Sequence, residues 1–144
     1  MENTRQILKV KFDKNIDEVN DIINSYLKSC KFIEVNYNNE KALKHNSFMT
    51  KLDFFKTYLQ IHLSNNELTL VGWVVWKNVE YGFDDVLDLN EPYKQSNWQV
   101  SKNLFNMFFA FASGLSTENN QFVCKKVNSN EATLPSEVNL FNFK

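Results

Sequence analysis

The side chains with the most chemical potential in this sequence are two histidines, two cysteines and a cluster of acids. His45, His62, Cys30 and Cys124 are the candidate metal ligands and nucleophile partners. Zinc and catalytic sites use short spacings such as CxxC, HxxxH or HExxH, because these set two ligands on one turn or one helix face. None of these spacings occurs here. The expectation is therefore no metal and no cofactor, with both histidines in structural roles. Cys30 falls on the apolar register of a helix, where packing makes a thiol inert. A serine nucleophile would call for a GxSxG elbow, which is missing. Gly72, Gly82 and Gly114 are isolated from one another, so no glycine-rich phosphate cradle can form. No catalytic residue is assigned.

The acids are Glu80, Asp84, Asp85, Asp88 and Glu91, with no Lys or Arg among them. A calcium loop alternates its acids around a glycine turn. Here Val86, Leu87 and Leu89 interrupt the acids and Gly82 precedes most of them. A solvated loop is the expected reading; divalent-ion binding or acid–base chemistry is the alternative.

Positioning any such group falls to elements read from periodicity. Gln6–Phe12 alternates, with Leu8, Val10 and Phe12 on one face, as a half-buried strand does. Asn15-Ile16-Asp17-Glu18 reads as a helix cap with acids at the positive end of the dipole. Ile16, Val19, Ile22, Ile23, Tyr26, Leu27 and Cys30 follow at helical spacing, which predicts a helix over 16–30. Lys31–Tyr37 alternates again, with Ile33, Val35 and Tyr37 on one face, and Asn38-Asn39 is a turn signal. Lys41–Asp53 has no clear period and holds at most a short strand and a loop. Phe54–Leu63 and Leu68–Trp76 are the plainest strands. They flank Asn65-Asn66, residues that tolerate positive φ and close a two-residue hairpin.

That turn sets the register. Leu63 faces Leu68, Ile61 faces Leu70, Leu59 faces Gly72, Thr57 faces Val74 and Phe55 faces Trp76, giving a core face. The opposite face pairs His62 with Thr69, Gln60 with Val71, Tyr58 with Trp73 and Lys56 with Val75. Further on, Val86–Leu89 is a short strand candidate, a second helix runs from about Asn97 to a cap at Gly114, and Phe122–Val127 is strand-like. The expected architecture is α+β: an antiparallel-dominated sheet with two main helices packed on one face, in the order strand, helix, strands, helix. The 144 residues are read as a single domain, with 115–144 as a C-terminal extension able to pack on the sheet.

A net charge of −1 and a pI near 6.1 argue against a nucleic-acid partner. The most apolar run, Leu104–Leu115, is too short to span a bilayer and contains Asn106. The opening residues Met1–Arg5 lack the plan of a secretory leader, and two cysteines without a framework suit a reducing, cytoplasmic setting.

The binding candidate is the outer hairpin face. A two-layer fold covers one side of its sheet, which leaves Phe54, Tyr58, His62, Val71, Trp73 and Val75 on the other. An apolar patch of this kind marks a partner or ligand site. Its cover is the chain's own tail, a homodimer or protein partner, or a small molecule. The functional expectation is a non-catalytic protein-binding domain. The alternative is a small-molecule-binding protein or small enzyme, with Trp73, Trp76 and Tyr81 lining a pocket beside Asp84 or Asp85.

The run FFKTYLQIHLSNNELTLVGWV, Phe54 to Val74, resembles the middle of an uncharacterised small bacterial domain often found beside zinc ribbons or membrane helices. Gly72-Trp73 and the helix Ile16–Cys30 carry the resemblance, which covers about half of the chain. It implies a strand–helix–strands–helix layout and brings no function with it. This sequence has neither the zinc ribbon nor the membrane span.

Overall fold

A computed structural model describes residues 3–45, 56–64, 66–82 and 122–132. In chain order these form β1 (Thr4–Lys11), α1 (Ile16–Ser29), β2 (Phe32–Tyr37), β3 (Glu40–His45), β4 (Lys56–Leu63), β5 (Glu67–Trp76), β6 (Val79–Tyr81) and β7 (Phe122–Asn128), followed by a 3-10 turn at Ser129–Ala132. All strand pairs are antiparallel. The sheet order is β2-β3-β4-β5-β1-β7, with β6 also on β5.

This corrects the expected fold class. Among the described residues there is one α-helix rather than two, and strand dominates. The physical reason lies in the short segments. Glu40–His45, in a stretch expected to hold at most a short strand and a loop, and Val79–Tyr81, expected in a loop, have open strand edges beside them and complete their backbone hydrogen bonds there. The second helix expected over 97–114, the strand candidate Val86–Leu89 and the acids Asp84, Asp85, Asp88 and Glu91 lie outside the described residues. No helix among the described residues is long and apolar enough to cross a membrane.

Turn chemistry explains the connections. Asn15 caps α1, its Oδ1 accepting from the Asp17 amide at 2.8 Å. The helix ends where Lys31 takes a left-handed φ of 62°, with its amide bonded to the Lys28 carbonyl at 3.1 Å. Asn38 and Asn39 (φ 45° and 70°) close the β2–β3 hairpin, and Lys77 and Asn78 (φ 51° and 65°) close β5–β6. Two consecutive positive-φ residues match the twist of the flanking strands. Between β4 and β5, the register read from the sequence is the one observed over Lys56–Leu63. Ser64 stitches that turn, its Oγ accepting from the Glu67 amide at 3.1 Å. The end of β1 clasps the same turn through the Phe12 amide and the Asn66 carbonyl, 2.9 Å apart.

β5 is the hub. One edge pairs with β4 from Leu68 to Val75. The other edge is shared, β1 taking Glu67–Gly72 and β6 taking Val74–Trp76. The hand-over falls beside Trp73, and this brings Arg5 of β1 next to Glu80 of β6. Gly82 permits the close approach there. A Cβ on it would sit 2.7 Å from Lys126 Cγ, and its amide donates to Thr4 Oγ1 at 2.8 Å.

The sheet has two buried faces. On one, α1 lays Val19, Ile23 and Leu27 against Leu8, Val10, Leu59, Leu63, Leu68, Leu70 and Val74. Burial of each such side chain is worth about 1.5–3 kcal/mol. The other face carries a smaller cluster of Ile7, Ala42, Tyr58, Val71, Trp73 and Ala132, with Val35, Tyr37, Val75 and Val127 at its edge.

Candidate functional site on the outer sheet face

Strand alternation sends Arg5 and Ile7 of β1, Tyr58 and Gln60 of β4, and Val71 and Trp73 of β5 to the outer face. Lys44 of β3 pairs with Tyr58, so a flat ladder would hold Tyr37, at the far end of the β2–β3 hairpin, out of reach of Trp73. Instead the Tyr37 ring lies 4.6 Å from Tyr58 and 5.3 Å from Trp73, centroid to centroid. The hairpin therefore curls over the face, and strong coiling of this kind follows from the right-handed twist of each strand.

Arg5 lies at the centre. Its Nε and one Nη meet the two carboxylate oxygens of Glu80 at 2.7 and 2.9 Å, a bidentate pair. The same Nη reaches Glu40 at 3.2 Å. The guanidinium carbon sits 3.7 Å from the centre of the Trp73 ring, a cation–π contact. Glu80 also accepts from the Tyr37 hydroxyl at 2.6 Å and the Ser129 hydroxyl at 2.7 Å. Its backbone amide donates to Asn3 Oδ1 at 2.8 Å. Gln60 ties the rim, donating to the Lys41 carbonyl at 3.2 Å and Glu40 at 3.5 Å.

The electrostatics follow from this wiring. Burial alone would raise the Glu80 carboxyl, but the hydrogen bonds from Arg5, Ser129 and Tyr37, with the guanidinium charge, outweigh it and hold the group below its ordinary value. Burial opposes the Arg5 charge too, and the two carboxylates more than restore it. Burial, then the Glu80 hydrogen bond and charge, push the Tyr37 phenol up. Arg5 and Glu80 are thus held in their ionised forms and the Tyr37 phenol in its neutral form. Two outer-face groups are left unsatisfied among the described residues, His62 Nδ1 and the Trp73 indole. The Trp73 Nε1 is buried without a hydrogen bond among the described residues; the Tyr37 hydroxyl is near enough to be influenced by it but not in bonding geometry.

Of the six residues singled out from sequence, Tyr58, Val71 and Trp73 meet in the outer cluster, with Trp73 wholly buried. Val75 packs at its margin and His62 is half-buried on the same face, its imidazole held below the usual value by burial. Phe54 lies outside the described residues. The aromatic pocket of the alternative reading does not assemble. Trp76 and Tyr81 pack against the helix-side core, away from Trp73, and the Lys77 ammonium lies 4.6 Å over the Trp76 ring. The His45 ring lies tilted against Phe32 on the helix side, so the two histidines sit on opposite faces. Cys30 is a free thiol that burial pushes up. Among the described residues no group of His, Cys, Asp and Glu is placed to hold a metal ion.

Sequence reading missed Arg5, Tyr37, Glu40, Gln60, Glu80 and Ser129 as one cluster. One local signal was available: Arg5 shares the strand face of Ile7, where a lone arginine needs a buried acid. Compared with known proteins, the chain matches no family model, no curated protein and no solved structure.

Proposed function

We propose that this protein is a non-catalytic interaction domain that binds another protein, or a second copy of itself, through the β2 rim of its sheet. The observation that carries this reading is the state of the β2 edge. β2 ends the sheet order and has no strand on its free side among the described residues. Proteins commonly guard such an edge with lysine, proline or a bulge. β2 has none of these. Its six residues run in unbroken register with β3, and Ile33 is 39% exposed. The outer cluster supports binding over catalysis, because among the described residues its charges are consumed by one another. It acts as a rigid foundation under the rim residues Ile33, Val35, His62 and Val75.

The test is quantitative binding with purified candidates recovered by crosslinking from the native host. Ile33→Lys is expected to abolish saturable protein binding, and Lys28→Ala, on α1, to leave it intact. Saturable binding of a small metabolite with no protein partner would overturn the reading.

A further inference from the structure

We propose that the β2 edge pairs with β2 of a second copy of this chain, antiparallel and centred on Val35, joining two sheets into one. The inference rests on the interaction-domain reading and names its partner.

The first ground is where the free main-chain groups point. Asn38 and Asn39 form a two-residue turn, so Tyr37 and Glu40 are the closing hydrogen-bonded pair. By alternation Ile33, Val35 and Tyr37 bond inward to β3, and Phe32, Glu34 and Asn36 present their N–H and C=O groups to the edge that no described strand covers. A two-fold axis through Val35 sets Glu34 of one copy opposite Asn36 of the second, and the reverse. Both pairs consist of edge-facing residues, so each exchanges two backbone hydrogen bonds.

The second ground is side-chain complementarity at that register. On the outer face Val35 meets Val35 of the second copy, and Ile33 meets Tyr37 of the second copy, which removes Ile33 from water. On the other face Glu34 meets an asparagine amide. Moving one step in one direction sets Glu34 against Glu34 of the second copy, and like charges directly opposite are destabilising. Moving one step the other way places Ile33 against the turn residue Asn39. One register is therefore favoured, and β2 is its own complement, as a closed two-fold contact demands. The contact is short, so association belongs to the weak, concentration-dependent class.

Sedimentation from micromolar to millimolar concentration tests this directly. Wild-type protein is expected to pass from monomer to dimer. Ile33→Lys, which loads the outer row with charge, and Glu34→Pro, which deletes an edge-facing N–H while sparing the β3 ladder, are each expected to remain monomeric with unchanged thermal midpoints. The register is read by mild oxidation of Val35→Cys. Opposed non-hydrogen-bonded residues lie about 4.5 Å apart at Cα, within disulfide reach of ~4.4–6.8 Å, so a crosslinked dimer is expected, with Asn36→Cys and the wild type as uncrosslinked controls. A monomer at millimolar concentration overturns the inference and leaves the interaction-domain reading to its own test with foreign partners. A dimer that survives both Ile33→Lys and Glu34→Pro also overturns it, while supporting self-association through another surface.

Discussion

The two faces of this sheet are buried by different physics. The helix side is built from Leu, Val, Ile and Phe, whose burial is non-directional and scales with area. The outer side is built around a guanidinium, two carboxylates and three aromatic rings, whose contributions depend on angle and distance. The helix side should tolerate changes of shape but not of volume. The outer side should tolerate neither loss of a charge nor a change in how that charge is presented.

The largest effects test this directly. Trp73→Ala removes a wholly buried ring that stacks on Tyr58 and supports Arg5, and is expected to cost about 3–5 kcal/mol. Arg5→Ala strands the Glu80 carboxylate and is expected to cost ~3–5 kcal/mol, as breaking a buried pair does. Leu70→Ala, on the helix side, is expected to cost about 2–5 kcal/mol. Urea midpoints read all three. The conservative variants separate the faces. Leu70→Met should stay under ~1.5 kcal/mol, whereas Arg5→Lys, which cannot form the bidentate fork, should fall well outside that range. Equal midpoints for these two would erase the distinction. The double variant Arg5→Met with Glu80→Leu should recover most of the Arg5→Ala loss, since apolar replacement of a buried pair is often neutral or better.

Acid titration sharpens the comparison at smaller amplitude. His45 on the helix side and His62 on the outer side are both held below the ordinary 6.5, by burial and, for His45, also by the Lys31 charge. The unfolded chain then binds protons first, so stability present above pH 6.5 is lost as pH falls below it. Glu80 is held below its ordinary 4.5, so a second loss is expected as pH falls through that region. Thermal midpoints against pH should show both stages. Glu80→Gln should flatten the lower stage alone; an unchanged lower stage would move its origin away from the outer face.

The smallest effect is a control at the end of α1. Lys31 holds a left-handed φ of 62° that glycine adopts without strain. Lys31→Gly is expected to stabilise by roughly 0.5–1 kcal/mol, measured as a raised midpoint.

The parts legible in the sequence were those written in local periodicity. Asn65-Asn66 between two alternating runs set the β4–β5 register residue by residue, and Asn15 with its following acids marked the start of α1. Glu40–His45 was obscured because Ala42 and Leu43 are buried side by side, on opposite faces, so neither period appears. The outer cluster was illegible for another reason. Arg5 and Glu80 are 75 residues apart, and Glu80 lay inside an acidic run that read as solvated. Only the division of the β5 edge between β1 and β6 brings them together. The expected balance of helix and strand shifted because strand pairing claimed Glu40–His45 and Val79–Tyr81, segments with weak patterns of their own, while the stretch expected as the second helix lies outside the described residues.

The interior position of β1, between β5 and β7, also carries a temporal consequence. The first strand of the sheet lies between β5 and β7, pairing Leu8 with both Leu70 and Cys124. A ribosome must therefore release residue 72 before β1 gains its first neighbour and residue 128 before it gains its second. Until then the nascent chain carries a strand with Ile7, Leu8 and Val10 uncovered and two open edges, the kind of species that chaperones shield. Contacts this distant in sequence place folding in the slow, roughly millisecond-to-second class of sheet proteins. Helix α1, formed early from local contacts, would wait beside an unfinished sheet for the strand that completes its core.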